Sequence, residues 1–122
     1  MRARTEKGRD IPAADYIDLQ RLRAKLVRAM DASLAGLDAV VMPTTATVAP
    51  RIDEVADPKS FMARNAMLLR NPTIVNFFDL CAISLPLPRH GGLPTGLMLI
   101  ARNGHDRRLF EIAAAVERRL AA

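Results

Sequence analysis

Asn71 to Ala101, NPTIVNFFDLCAISLPLPRHGGLPTGLMLIA, decides the fold, because it reads as one short helix feeding a two-stranded β unit. Pro72 suits a first helical position with Asn71 before it as the cap, and Ile74, Phe77, Phe78 and Cys81 follow at the spacing of one helical face. Ala82 to Leu85 is an apolar run closed by Pro86 and Pro88, and Gly96 to Ala101 is a second, closed by Asn103 and Gly104. The connector from Leu87 to Pro94 is too short for a helical crossover, so the two runs are expected to pair as an antiparallel hairpin.

Upstream, Leu19, Leu22, Leu26, Met30, Leu34 and Leu37 recur at helical steps after Ile11-Pro12, which predicts a long helix with a buried stripe and a stop near Gly36. Ala39 to Met42, ended by Pro43, reads as a strand, followed by the polar strand-end loop Pro43-Thr44-Thr45 and a longer loop up to Asp57. Asp57-Pro58 caps and starts a further helix, in which Phe61, Met62, Ala66 and Leu69 lead to about Arg70. Asp106 is the expected cap of a final helix whose stripe is Leu109, Ile112, Ala113, Val116 and Leu120. The expected class is α/β: a small mixed sheet carrying an antiparallel hairpin, packed between helices, with residues 1–10 a flexible tail and residues 11–122 one folded unit.

A chain of 122 residues, 50% hydrophobic and 25% charged, has a globular composition. Its net charge of +5 invites a nucleic-acid partner, but the arginines are scattered. Arg21, Arg23, Lys25 and Arg28 share a helix with Asp15, Asp18 and Asp31, and one tyrosine with no tryptophan offers little for bases to stack on. No nucleic-acid or membrane partner is expected. The basic N-terminal residues lead into no apolar run, so neither a signal peptide nor a membrane span is read, and a cytoplasmic location is expected. Cys81, the single cysteine, is expected to be a small buried hydrophobe.

Catalytic patterns are scarce. The chain has no phosphate loop, no dinucleotide fingerprint, no His-Glu-x-x-His and no Gly-x-Ser-x-Gly elbow. His90 and His105 sit in turn contexts without a second ligand, so no metal site and no cofactor are expected. Ser33, Ser60 and Ser84 are the hydroxyl nucleophiles and Lys7, Lys25 and Lys59 the lysines, none beside an activating partner in sequence. Asp53, Glu54 and Asp57 read as the solvated approach to a helix rather than a cation loop. Thr44 and Thr45 stand out because ligands of α/β sheets gather at strand-end loops, against the simpler reading of a hydroxyl turn after Pro43.

Taken together, the segments Ala14-Asp15-Tyr16, Asp38-Ala-Val-Val-Met-Pro-Thr-Thr45, Arg70-Asn-Pro-Thr73 with Asn76, Ala82-Ile-Ser-Leu-Pro86, Gly92-Leu-Pro-Thr-Gly-Leu97 and the Asp106 helix resemble the C-terminal part of the amidase signature family. These are serine hydrolases that include bacterial amidases and the A subunit of the glutamyl-tRNA amidotransferase. The chain departs from many members by having Asp79 and Cys81 where they have glycine and proline. The resemblance implies hydrolysis of carboxamide C–N bonds through an acyl-enzyme, with a serine nucleophile, a second serine and a lysine base on a glycine- and serine-rich signature upstream. This sequence shows no such signature, so no catalytic residue is assigned within it. Thr44, Thr45 and Asn76 are the positions the resemblance would place along a substrate pocket. Three readings stay open: an amidase portion inactive alone, whose partner would be itself or the missing N-terminal amidase portion; a non-catalytic module that associates with itself or another chain; and a self-sufficient enzyme using Ser84 or Ser33. The first two carry the expectation of an oligomer.

Overall fold

The computed structural model describes residues 5–6, 8–87 and 92–120. Helix α1 spans Ala13–Ser33, strand β1 Val40–Pro43, helix α2 Pro58–Phe77, strands β2 and β3 Cys81–Pro86 and Gly96–Ala101, and helix α3 Asp106–Leu120. The strands lie in the order β1-β3-β2, and both pairings are antiparallel. The α/β class and the hairpin stand as the sequence implied, and the described sheet is antiparallel throughout rather than mixed. Helix α2 returns the chain so that β1 and β2 run in one direction, and the hairpin places β3 between them running the other way.

β3 is therefore the central strand of this sheet, and because helices cover both of its faces its sequence is continuously apolar rather than alternating. The pleat sends Leu99 and Ala101 to one face, where they meet Leu85 and the α3 residues Leu109 and Ala113. It sends Met98 and Ile100 to the other, against Val75 near the end of α2. Ile112, Val116 and Leu120 pack around the first cluster, as the helical stripe predicts.

Three local expectations are corrected. Residues Pro58–Phe77 form one continuous helix, so Asn71 is not a cap and Pro72 lies inside α2. Pro72 removes one helical donor, but Asn71 holds the helix to the sheet, donating from its Nδ2 to the carbonyl of Pro43 at 2.7 Å. The leucine stripe of α1 is not core: Leu19, Leu22 and Leu26 are exposed and α1 has no buried residue. The faces of the small sheet are already occupied by α3 and the end of α2, so α1 is tied on by polar contacts instead. Finally, Leu109 donates its amide to the carbonyl of His105, placing Asp106 in the first turn of α3 rather than at its cap.

Other turn chemistry is as the sequence suggests. Asp57 Oδ1 accepts the amides of Lys59 and Ser60 at 2.9 and 3.0 Å at the start of α2. Gly36 takes a φ of 90° just beyond α1, which only glycine adopts without strain. Asp79 takes a φ of 55°, in the left-handed region that glycine enters more readily than other residues. Its carboxylate meets Arg23, whose guanidinium also lies 5.8 Å from the centroid of the Phe77 ring.

α1 is tied to the end of β3 by Arg102, which donates to both carboxylate oxygens of Asp31, at 2.7 and 2.6 Å. The Arg102 hydrogen bond holds the Asp31 carboxyl below its ordinary range. A carboxyl depressed in the folded state contributes stability above its unfolded pKa and loses it as pH falls through the folded one. The tether should therefore release only in acid, below the ordinary aspartate range. Arg102→Gln is expected to return the Asp31 titration to that range, read by NMR of the side-chain carboxyl.

Candidate functional site

The ends of β1 and β2 and the start of β3 meet at one edge of the sheet, so the carboxyl ends of two strands open on the same region. The Thr44 amide donates to the carbonyl of Gly96 at 2.8 Å, extending the ladder by one residue beyond Pro43. The Thr44 and Ser84 hydroxyls hydrogen-bond to each other across β3. That contact is possible because residue 96 is glycine: a Cβ there would lie 2.6 Å from both hydroxyl oxygens. Gly96→Ala must displace both of them, and is expected to cost about 1–3 kcal/mol as overpacking, measured by chemical denaturation.

Beyond Thr44 the chain turns on its own side chains. Thr45 Oγ1 donates to the carbonyl of Thr47 at 2.8 Å, and Thr47 Oγ1 to that of Val48 at 3.4 Å. This loop overhangs the sheet and encloses an open groove of about 520 Å³. Val41, Met42, Pro43, Leu87 and Leu97 form most of its floor, with Thr45 to Val48 on one side and Thr95 and Gly96 on the other. Among the described residues no charged side chain lines it.

Of the three positions expected along a pocket, Thr45 lines this groove and Thr44 is fixed beside it by Gly96 and Ser84. Asn76 is not among its lining residues; it is exposed near the end of α2, and its carbonyl accepts from Arg23 at 3.4 Å. Asn71, which anchors the end of β1 from α2, is hidden from sequence reading because its pairing with Pro43 joins residues far apart in the chain.

Several of the remaining candidates have partners within the chain. Ser33 donates to the carbonyl of Met30 within α1, and the partner of Ser84 is a hydroxyl. Asp53 pairs with Arg51, Glu54 with Arg64, and Asp57 caps α2, so each carboxylate of the acidic cluster has a protein partner. Arg51 lowers the Asp53 pKa, and the Ser60 contacts lower that of Asp57. Among the described residues no group of acidic, histidine or cysteine side chains is arranged to hold a metal ion. No helix among them is long and apolar enough to cross a membrane. His90 and Lys7 lie outside the described residues. Cys81 is partly buried with its Sγ 3.2 Å from the carbonyl of Arg102, and burial pushes the thiol pKa up. Slow reaction with thiol reagents near neutral pH is expected, read against a free thiol standard.

The family model described as Amidase matches residues 1–110. The chain belongs to the amidase family. It is 32% identical to the A subunit of glutamyl-tRNA(Gln) amidotransferase from Mycobacterium bovis, an alignment covering 85% of this chain and 21% of that protein. It is 34% identical to a fatty acid amide hydrolase of Medicago truncatula over 87% of this chain and 18% of that one. The crystal structure of the glutamyl-tRNA(Gln) amidotransferase A subunit from Thermotoga maritima superposes with a TM-score of 0.62 at 27% identity, covering 89% of this chain and 24% of the other. This amidase chain thus spans about a fifth of the length of the curated relatives it matches.

Proposed function

We propose that this chain is the C-terminal portion of an amide hydrolase, and that it contributes sheet and pocket wall while a serine–serine–lysine set on another segment breaks the C–N bond through an acyl-enzyme. The observation that carries this reading is the match to the amidase family over residues 1–110 in a chain that spans only a fifth of its relatives. It is supported by the partners of Ser33 and Ser84, neither of which is a base that would take the hydroxyl proton. In this reading Thr44 and Thr45, at the strand ends, face the bound amide, with Asn76 a wall position on α2. The chain alone is expected to leave aryl and aliphatic amides intact, and to be active only when joined to an amidase segment carrying the serine signature. Hydrolysis by the purified chain alone would overturn this.

A second reading, a non-catalytic module that assembles with itself or another chain, is favoured by the apolar side chains left exposed on α1 and α2. Leu19, Leu22 and Leu26 face solvent, as do Phe61, Met62 and Leu69. A dimer or larger oligomer is expected in sedimentation, and Leu22→Lys with Leu26→Lys should return it to a monomer. A wild-type chain that stays monomeric as its concentration rises would count against assembly.

A further inference from the structure

Helix α1 carries two apolar lines at once. Val27, Met30 and, at its end, Leu34 are partly buried and lie on the side of Arg23 and Asp31, the two residues that hold the helix to the body of the protein. The exposed Leu19, Leu22 and Leu26 lie roughly a quarter-turn around the helix from that line. A second molecule can therefore reach these leucines while both arginine contacts stay made. Asp15 and Ser33 fall on the same line as the leucines and close it at each end.

The pattern along this line is its own complement. Leu19 and Leu26 are about two helical turns apart, and so are Asp18 and Lys25, both exposed beside the leucines on the side away from the body. The midpoints of the two pairs flank Leu22. A two-fold axis beside Leu22 therefore sets Leu22 against its copy, Leu19 against Leu26 of the second molecule and Asp18 against Lys25 of the second molecule, each of the last two pairs made twice. A parallel copy would instead set Asp18 against Asp18 and Lys25 against Lys25. Asp18 already accepts from Arg21 at 3.2 Å, and a carboxylate has lone pairs for a second donor. Helix α2 offers no such complement, because it carries Lys59, Arg64 and Arg70 and no carboxylate, so two copies of it would meet with like charges. We infer that the exposed face of α1 is a site for a second copy of this chain, bound antiparallel across a two-fold axis at Leu22, with the leucines at its centre and Asp18–Lys25 pairs at its rim. This rests on the self-assembly reading above. One short stripe makes a small interface, so the dimer should be weak and concentration-dependent.

The test is sedimentation equilibrium of the intact chain and of two charge reversals, Asp18→Lys and Lys25→Asp. Both positions are exposed, so the circular dichroism of each variant should match that of the wild type. Either change alone turns two attractions into two repulsions and should weaken the dimer about tenfold. One variant adds positive charge and the other removes it, so an effect of net charge alone would move them in opposite directions. Mixed in equal amounts, the two variants should dimerise with each other about as well as the wild type does with itself, because each then supplies what the other lacks. Leu69→Lys on α2 should leave the dimer unchanged. A wild-type dimer indifferent to both reversals, a mixture no tighter than its components, or a dimer broken by Leu69→Lys would overturn the antiparallel α1 pairing and leave self-assembly standing. A wild-type chain monomeric at every concentration would overturn both.

Discussion

Leu99→Ala should destabilise this amidase chain by about 3–5 kcal/mol, the upper part of the range for leucine truncation in a core that cannot collapse around the void. Leu99 is only 1% exposed and stands in the middle of β3, the strand with a partner on each side. It faces Val41 on one neighbour and Ile83 on the other in register, and belongs to the cluster that α3 covers. Backbone hydrogen bonds on both sides keep β3 from moving inward to fill the space. Small domains hold about 5–15 kcal/mol in total, so the variant should be partly unfolded at physiological temperature. Thermal and denaturant unfolding would measure it, and a loss below about 1 kcal/mol would mean that the cluster is not the centre of stability. Leu22→Ala on the exposed face of α1 should cost far less, which separates core packing from leucine count.

The second large effect belongs to Asn71. It is 5% exposed, its Nδ2 donates to Pro43 and its Oδ1 accepts from Arg70 Nε at 3.2 Å. Asn71→Leu keeps the volume but removes the hydrogen bond that joins α2 to the exposed end of β1, at a cost of about 0.5–1.5 kcal/mol. Asn71→Asp retains an acceptor for Arg70 yet faces the carbonyl with an oxygen, so it should be at least as harmful. If Asp were tolerated and Leu were not, the Arg70 contact rather than the β1 anchor would be the important one. Either change also frees the end of β1, so the Thr44 and Thr45 resonances should broaden or shift before global unfolding.

The sheet and the last helix are legible in the sequence because their apolar patterns are completed within the chain: β3 is apolar on both faces, and the α3 stripe meets it directly. The leucines of α1 mislead for a physical reason. Periodicity shows an amphipathic face, not what covers it, and here α1 is held by Arg102–Asp31 and Arg23–Asp79 while Leu19, Leu22 and Leu26 stay exposed. The break expected at Asn71-Pro72 does not occur because a proline costs a helix one hydrogen bond, which burial of Val75 and the Asn71 anchor outweigh. At the strand ends, Thr44 and Thr45 are visible from the Pro-Thr-Thr turn. The role of Gly96 is not, since it depends on two hydroxyls arriving from strands remote in sequence.

The central position of β3 sets the order in which this protein can be made. β1 emerges from the ribosome well before its sheet partner β3, with Met42 meeting Met98. At ordinary rates of synthesis Val40 to Pro43 waits seconds for its partner in this sheet, and Cys81 to Pro86 is likewise paired here only once Gly96 to Ala101 follows it out. Chains of this sequence halted before Gly96 should therefore hold helices without the β1-β3-β2 sheet, with two strands open to chaperones. Sheet formation becomes a late event, triggered by the arrival of a single six-residue strand.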